Sequence, residues 1–246
     1  MPRDFTVTGH RGAAALEPEN TLPSFIKAVE CGATGVEFDV YPTKDGVAVV
    51  LHDRELRRLT GVEALVDQLT YAEVSKLKVH GRARIPTLRE VLAFAKGRLS
   101  VDIEVKLPGV EQEVVEALRE LDMVDDALVT SFLPAPLAAV KKLDSSIEVG
   151  LLVTGWDDEC LYVAERVGAS YILPHYEAIT PALVRKLTSR GFRVVAWTVN
   201  EVETARWLLD VGVDGVITDN PCLIRGGCGS EKEGLGRAQQ AFRNQS

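Results

Sequence analysis

The chain has little of what would mark a secreted, membrane-spanning or nucleic-acid-binding protein. Four cysteines in 246 residues, Cys31, Cys160, Cys222 and Cys228, form no CxxC or Cys/His pattern. That excludes a zinc cluster built from near neighbours, and a chain of this length can fold without disulfides, so the cysteines read as reduced and structural. Apolar runs such as Val47-Ala-Val-Val-Leu51 are far shorter than the ~20 residues that cross a bilayer, and no stable membrane insertion is expected. Met1-Pro-Arg-Asp leads straight into a strand-like Phe5–Thr8, which leaves no room for an export signal and points to the cytoplasm. Positive charge is also scarce. With 28 Lys and Arg against 36 Asp and Glu, the net charge is -8, and the basic residues are scattered. No broad cationic face exists for nucleic acid or anionic lipid, so an anionic ligand must be attracted locally.

What is present is an ordinary globular composition, 46% hydrophobic and 26% charged, with strand and helix signals in alternation. Strand-like runs occur at 5–8, 35–40, 99–105, 127–131, 147–152, 170–173, 193–197 and 215–218, nearly all followed by a helical pattern. Short connections in that order imply a parallel sheet, and eight units favour an α/β fold closed as a (β/α)8 TIM barrel. An open doubly wound sheet is the alternative, but no GxGxxG follows the first strand. Residues 1–225 read as a single domain. A looser stretch, about 54–84, reads as an insertion after the second strand, and the polar 226–246 as a tail that is disordered or a frayed helix.

In a barrel, the strand ends carry the chemistry. The first strand ends at His10-Arg11. The second carries Glu37 and Asp39 on one face, opposite Val36, Phe38 and Val40, and its appended hairpin stops at His52-Asp53. The third reads Val101-Asp102-Ile103-Glu104-Val105-Lys106, with its polar phase toward the barrel interior. Singly, each has a bland reading: a hydrogen-bonded core histidine, a surface ion pair, Glu104 neutralised by Lys106 with Asp102 and another base likewise below them. Together, two histidines, three carboxylates, a lysine and an arginine at one predicted end make a site. Buried acids of this kind require a positive answer. Three carboxylates without clustered thiols form a hard oxygen set suited to Mg2+ or Ca2+, with Mn2+ next. Trp197 and His175 stand at further strand ends as candidate substrate contacts, with core packing the alternative for Trp197 and lining of the rim for His175. Asp219, before Asn220-Pro221, reads as a cap for the last short helix. His80 reads as an exposed loop residue.

His10-Arg11-Gly12, Pro18-Glu19-Asn20-Thr21, Glu37-x-Asp39, His52-Asp53, Pro86-Thr87-Leu88, Glu104-x-Lys106, Trp197-Thr-Val-Asn200 and Asp214-Gly-Val-Ile-Thr-Asp219-Asn-Pro221 stand in that order along the chain. The ordered set resembles the glycerophosphodiester phosphodiesterases. The resemblance implies metal-dependent hydrolysis of glycerophosphodiesters, the deacylated phospholipids, to sn-glycerol 3-phosphate and an alcohol. Carried over position by position, it implies His10 and His52 as the acid/base pair and Glu37, Asp39 and Glu104 as metal ligands. Arg11 and Lys106 correspond to phosphate contacts, Asn20 to a support of the first loop, and Trp197 to a wall of the substrate pocket. Two other readings remain. One is a lysophospholipase D-like phosphodiesterase, which needs an apolar groove. The other is a non-catalytic phosphate-binding barrel, against which stands the completeness of the set. The expected partner is a small molecule, and a homo-oligomer is compatible with the sequence.

Overall fold

The computed structural model describes residues 5–226. Apart from Gly226, the tail expected over 226–246 lies outside the described residues, as does Cys228. In chain order, β1 (Thr6–His10) and α1 (Leu22–Glu30) lead to a hairpin of β2 (Gly35–Pro42) and β3 (Ala48–Val50). The following segment carries α2 (Arg57–Thr60), α3 (Tyr71–Val74) and a small hairpin of β4 (Lys78–Val79) and β5 (Ala83–Arg84). Alternation then runs through α4 (Leu88–Ala95), β6 (Ser100–Val105), α5 (Glu111–Glu120), β7 (Ala127–Ser131), α6 (Pro134–Leu143) and β8 (Glu148–Val153). It ends with α7 (Asp158–Val167), β9 (Tyr171–Pro174), α8 (Pro181–Thr188), β10 (Arg193–Ala196), α9 (Val202–Val211) and β11 (Gly215–Thr218).

Eight of the strands close on themselves in the order β1, β2, β6, β7, β8, β9, β10, β11, all parallel, and β11 returns to pair with β1. This is the expected TIM barrel. β3 runs antiparallel to the upper part of β2, carrying the chain above the mouth. The helices start where the sequence says they can. Pro134 and Pro181 open α6 and α8, and Thr87 with Glu90 forms a capping box on α4. Outward strand residues Val36, Phe38, Val101 and Ile103 are fully or nearly fully buried under these helices.

The barrel interior is divided in two. Leu152, Leu173, Val195 and Ile217 on β8 to β11 fill one half with apolar side chains. The other half holds Glu37, Asp39, Asp102 and Glu104, all buried. The insertion has a core of its own, in which Leu56, Leu59, Val66, Val74 and Ile85 pack on Val49 and Leu51 of the hairpin.

One expectation is overturned. Cys31 and Cys222 are joined by a disulfide, with their Cα atoms 4.4 Å apart, whereas Cys160 is free. Cys31 caps α1, the helix after β1, and Cys222 follows β11. Closure of the barrel sets β1 beside β11, so cysteines 191 residues apart in sequence become neighbours. Spacing along the chain carries no sign of that.

Candidate active site

The carboxylate cluster follows from strand register. In parallel β1, β2 and β6, His10 lies opposite Glu37, and Asp39 opposite Glu104. Inward alternation then turns Glu37, Asp39 and Glu104 onto one spot, where each offers an oxygen within 4.8 Å of the others. The cost of this arrangement shows in their proton affinities. Burial drives Glu37 well above the usual carboxylate range, with repulsion from Asp39 and Glu104 adding to it. Burial, then Asp39, pushes Glu104 up to about 7. Burial also opposes the charge on Asp39, but Lys106 and Arg11 outweigh it and hold that carboxyl well below its usual range. Glu37 Oε1 is buried with no hydrogen-bond partner among the described residues. Three converging carboxylates, one with an orphaned oxygen, suit a divalent cation by donor chemistry and by charge.

Two cations frame the acids. Lys106 Nζ lies 2.7 Å from Asp39 Oδ1 and 2.6 Å from Glu104 Oε1. The contact to Asp39 is an ion pair without an aligned hydrogen bond. Asp39 and Glu104 keep Lys106 charged against the pull of burial, raising its pKa. Arg11 is placed by a hard turn after β1, with φ of 51° at Arg11 and 89° at Gly12. A side chain on Gly12 would run into Ser24, so the turn needs glycine there. The turn aims the Arg11 backbone N–H at Glu37 Oε2, 3.0 Å away, and its guanidinium at Glu19 and Asp39. Asn20 donates to Asp39 Oδ2 at 2.7 Å, so the loop after β1 is tied to the acid cluster as expected.

Both histidines are held by carboxylates. His52 Nδ1 donates to Asp53 at 2.7 Å. His10 Nδ1 donates to Asp219 at 2.6 Å, across 209 residues, and its Nε2 lies 3.9 Å from Glu37. Proton donation from Nδ1 leaves Nε2 of each ring to exchange a proton with a ligand. His52 has its pKa lowered, because burial and the Lys106 and Arg11 charges outweigh Asp39 and Asp53. Asp219 is therefore not the helix cap expected from sequence. Asn220 Oδ1 accepts from Leu223 N instead, while the Asp219 carboxylate takes His10 and the Asn200 amide, the latter at 2.6 Å. Only barrel closure brings these residues together, and the Asp-Asn-Pro signal favoured capping. A second network was also illegible. Arg58 of the insertion binds Asp53 and both oxygens of Glu19, which in turn accepts from Arg11.

These groups meet at a cavity of about 240 Å³ lined by His10, Arg11, Glu37, His52, Glu104 and Lys106 on one side and Phe132 and Trp197 on the other. Trp197 is anchored by its indole N–H to Leu173 O at 2.7 Å and meets Phe132 edge-on at 5.4 Å. His175 is outside this lining. Its ring packs edge-on against Trp197 at 5.2 Å and its Nδ1 accepts from Glu177 N, so it stands behind the wall. His80 is exposed in the insertion, as expected. The bland reading of Asp102, neutralised by a base, does not hold. Its partner is the Thr130 hydroxyl at 2.6 Å, and burial pushes it up to about 7.

Comparison with known proteins agrees with this geometry. Residues 10–223 match the model of the glycerophosphoryl diester phosphodiesterase family. A glycerophosphodiester phosphodiesterase of Caldanaerobacter subterraneus is 36% identical over 87% of this chain and 94% of that protein. A solved Oleispira antarctica phosphodiesterase, in complex with the product sn-glycerol-3-phosphate, superposes with a TM-score of 0.84 at 28% identity, covering 92% of this chain and 98% of the other. A Thermotoga maritima glycerophosphodiester phosphodiesterase gives a TM-score of 0.78 at 29% identity, covering 91% and 98%.

Proposed function

The chain belongs to the glycerophosphoryl diester phosphodiesterase family and hydrolyses glycerophosphodiesters to glycerol 3-phosphate and an alcohol; we propose that His10 and His52 carry the proton transfers. In this reading Glu37, Asp39 and Glu104 hold a divalent cation, Mg2+ or Ca2+ with Mn2+ next, and Arg11 and Lys106 hold the phosphate. One observation carries the proposal. Three carboxylates converge beside a cavity whose acidic side is flanked by two histidines, each turned by an aspartate.

When bound, the cation neutralises the acids and withdraws charge from a phosphoryl oxygen. Arg11, freed from none of its tethers, presents a planar fork to the phosphate, and Lys106 a point charge. His52, held neutral by its surroundings, takes the proton of the attacking oxygen. His10, with Asp219 to stabilise its imidazolium, gives a proton to the departing alkoxide. Trp197 and Phe132 form the side of the cavity away from the acids, with His175 supporting Trp197.

We take residues 1–225 as one catalytic unit. No helix among the described residues is long and apolar enough to cross a membrane. A cytoplasmic location is our proposal, and the Cys31–Cys222 bond weighs against it, since disulfides persist mainly in oxidising compartments. Thiol trapping during fractionation decides it.

The test is hydrolysis of glycerophosphocholine by purified protein treated with EDTA and then given Mg2+, Ca2+ or Mn2+. Metal-restored release of glycerol 3-phosphate, lost in His10→Ala and His52→Ala, is the expected result. Retained turnover in either variant removes that histidine from the proposal. Preference for a lysolipid over the soluble diester supports the lysophospholipase D-like reading, and no hydrolysis of any diester supports the binding barrel.

A further inference from the structure

We propose that Arg58, presented by the insertion, is a positioning residue for the hydrolysis, setting His52 through Asp53 and Arg11 through Glu19 with a single guanidinium. The inference rests on the reading that His52 and Arg11 act on the substrate. Arg58 Nε donates to Asp53 Oδ2, and its two terminal nitrogens donate to Glu19 Oε2 at 2.8 Å and Oε1 at 2.7 Å. The other oxygen of Asp53 holds His52 Nδ1, and Glu19 Oε1 also accepts from Arg11 at 2.9 Å. One fork thus sets two carboxylates, and each carboxylate sets a group lining the cavity. Neighbouring arginines behave differently. Arg54 pairs with Asp67 and Arg57 with Glu63, both inside the insertion.

The insertion is built to hold this side chain still. Fully buried Leu56, at the N-cap of α2, and nearly fully buried Leu59, within it, pack the helix on the β2–β3 hairpin, and His80 N donates to Leu59 O at 2.7 Å. Arg58 itself is 47% exposed, so its ion pairs contribute little to global stability. Their effect is on geometry. A planar, bidentate group fixes the direction of both carboxylates, and small misalignments of catalytic groups are expensive in rate.

The test compares R58A and R58K with wild type in steady-state kinetics on glycerophosphocholine. R58A is expected to lower kcat by about 10- to 100-fold, the usual effect of removing such an outer partner, with Tm and calorimetric Mg2+ affinity unchanged. R58K recovers only part of the loss, since an ammonium cannot hold both carboxylates in one plane, and added guanidinium ion restores turnover to R58A. Combined with D53N, the R58A loss falls well short of the product of the single losses. Combined with D219N, across the cavity, the losses multiply. Wild-type kcat/KM in R58A, while H52A and R11A are inactive, overturns the brace and leaves the active-site reading standing. So do losses that multiply equally with D53N and D219N. Full activity in H52A and R11A sinks the reading on which the brace depends.

Discussion

The two histidines face one cavity, yet they are fastened in opposite ways. His52 takes its carboxylate from the next residue, and that carboxylate is gripped by Arg58 of the insertion. His10 takes its carboxylate from 209 residues away, and that one is steadied by the neutral amide of Asn200. The first arrangement sits on a hairpin above the barrel mouth, the second on the seam where β11 meets β1. The difference teaches that one chemical device, a histidine turned by an aspartate, can be assembled locally or only by closing the barrel. It also sets the electrostatics. Asp53 shares its charge with a guanidinium, whereas Asp219 bonds to His10 and the neutral Asn200 amide, with Arg11 more distant.

Removing the rings themselves breaks the comparison most severely. His10→Ala and His52→Ala should each lower kcat by about 10²- to 10⁴-fold, the range for a lost general acid or base. If the rings divide the proton transfers as proposed, each variant loses a different limb of the pH–rate profile. Loss of the same limb in both would mean that the two sides are not acid and base.

Changing only the carboxylates sharpens it. Asp219→Asn and Asp53→Asn should each cost about 10- to 100-fold in kcat, with the larger loss at Asp219. Its full charge is available to an imidazolium, while part of the Asp53 charge already answers Arg58. Steady-state kinetics of the two variants at matched protein stability read the order directly, and a larger loss at Asp53 contradicts it.

Between the two histidines lies the acid cluster, which predicts how pH acts on the metal-free protein. Glu104 sits at about 7 and Glu37 is also raised. A raised carboxyl binds its proton more tightly folded than unfolded, so its stabilisation is complete below the unfolded value and is lost as pH climbs toward the folded one. Thermal melts in EDTA should therefore fall from pH 5 to pH 8, by a destabilisation on the order of a few kcal/mol. Adding Mg2+ or Ca2+ at pH 8 should reverse the fall, since the cation answers the charges that the protons had masked. A flat EDTA profile would show that the carboxylates already share their charge successfully with Lys106 and Arg11.

How far the sequence could foresee all this depends on distance along the chain. The eight barrel strands, their helices, and the in-phase acids of β2 and β6 were legible, because side-chain alternation and short connections are local rules. So was His52-Asp53, two letters side by side. The Asp219–His10 bond, the Arg58–Glu19 contact and the Cys31–Cys222 disulfide span 209, 39 and 191 residues, and nothing local announces them. Asp219 was misread because Asp before Asn-Pro is also good capping chemistry. A buried acid usually has a cationic partner, but at Asp102 a threonine hydroxyl and a raised pKa suffice.

The disulfide gives the mildest test, and it falls on the His10 side alone. Cys222 comes three residues after Asp219 and ties that end of the chain to α1. In a chain-entropy account, a crosslink over so long a loop stabilises by up to about 5 kcal/mol through the unfolded state. Reduction, or the double variant C31S/C222S, should therefore lower Tm clearly. Turnover should change little, because β11 is already held against β1 by strand pairing and Asp219 by Asn200. Dithiothreitol melts alongside initial rates on the same sample measure both. If reduction lowered kcat as well, with the acid and base limbs of the pH profile affected unequally, the seam itself would be what keeps Asp219 on His10. The hairpin side, which has no such crosslink among the described residues, would then be the sturdier of the two.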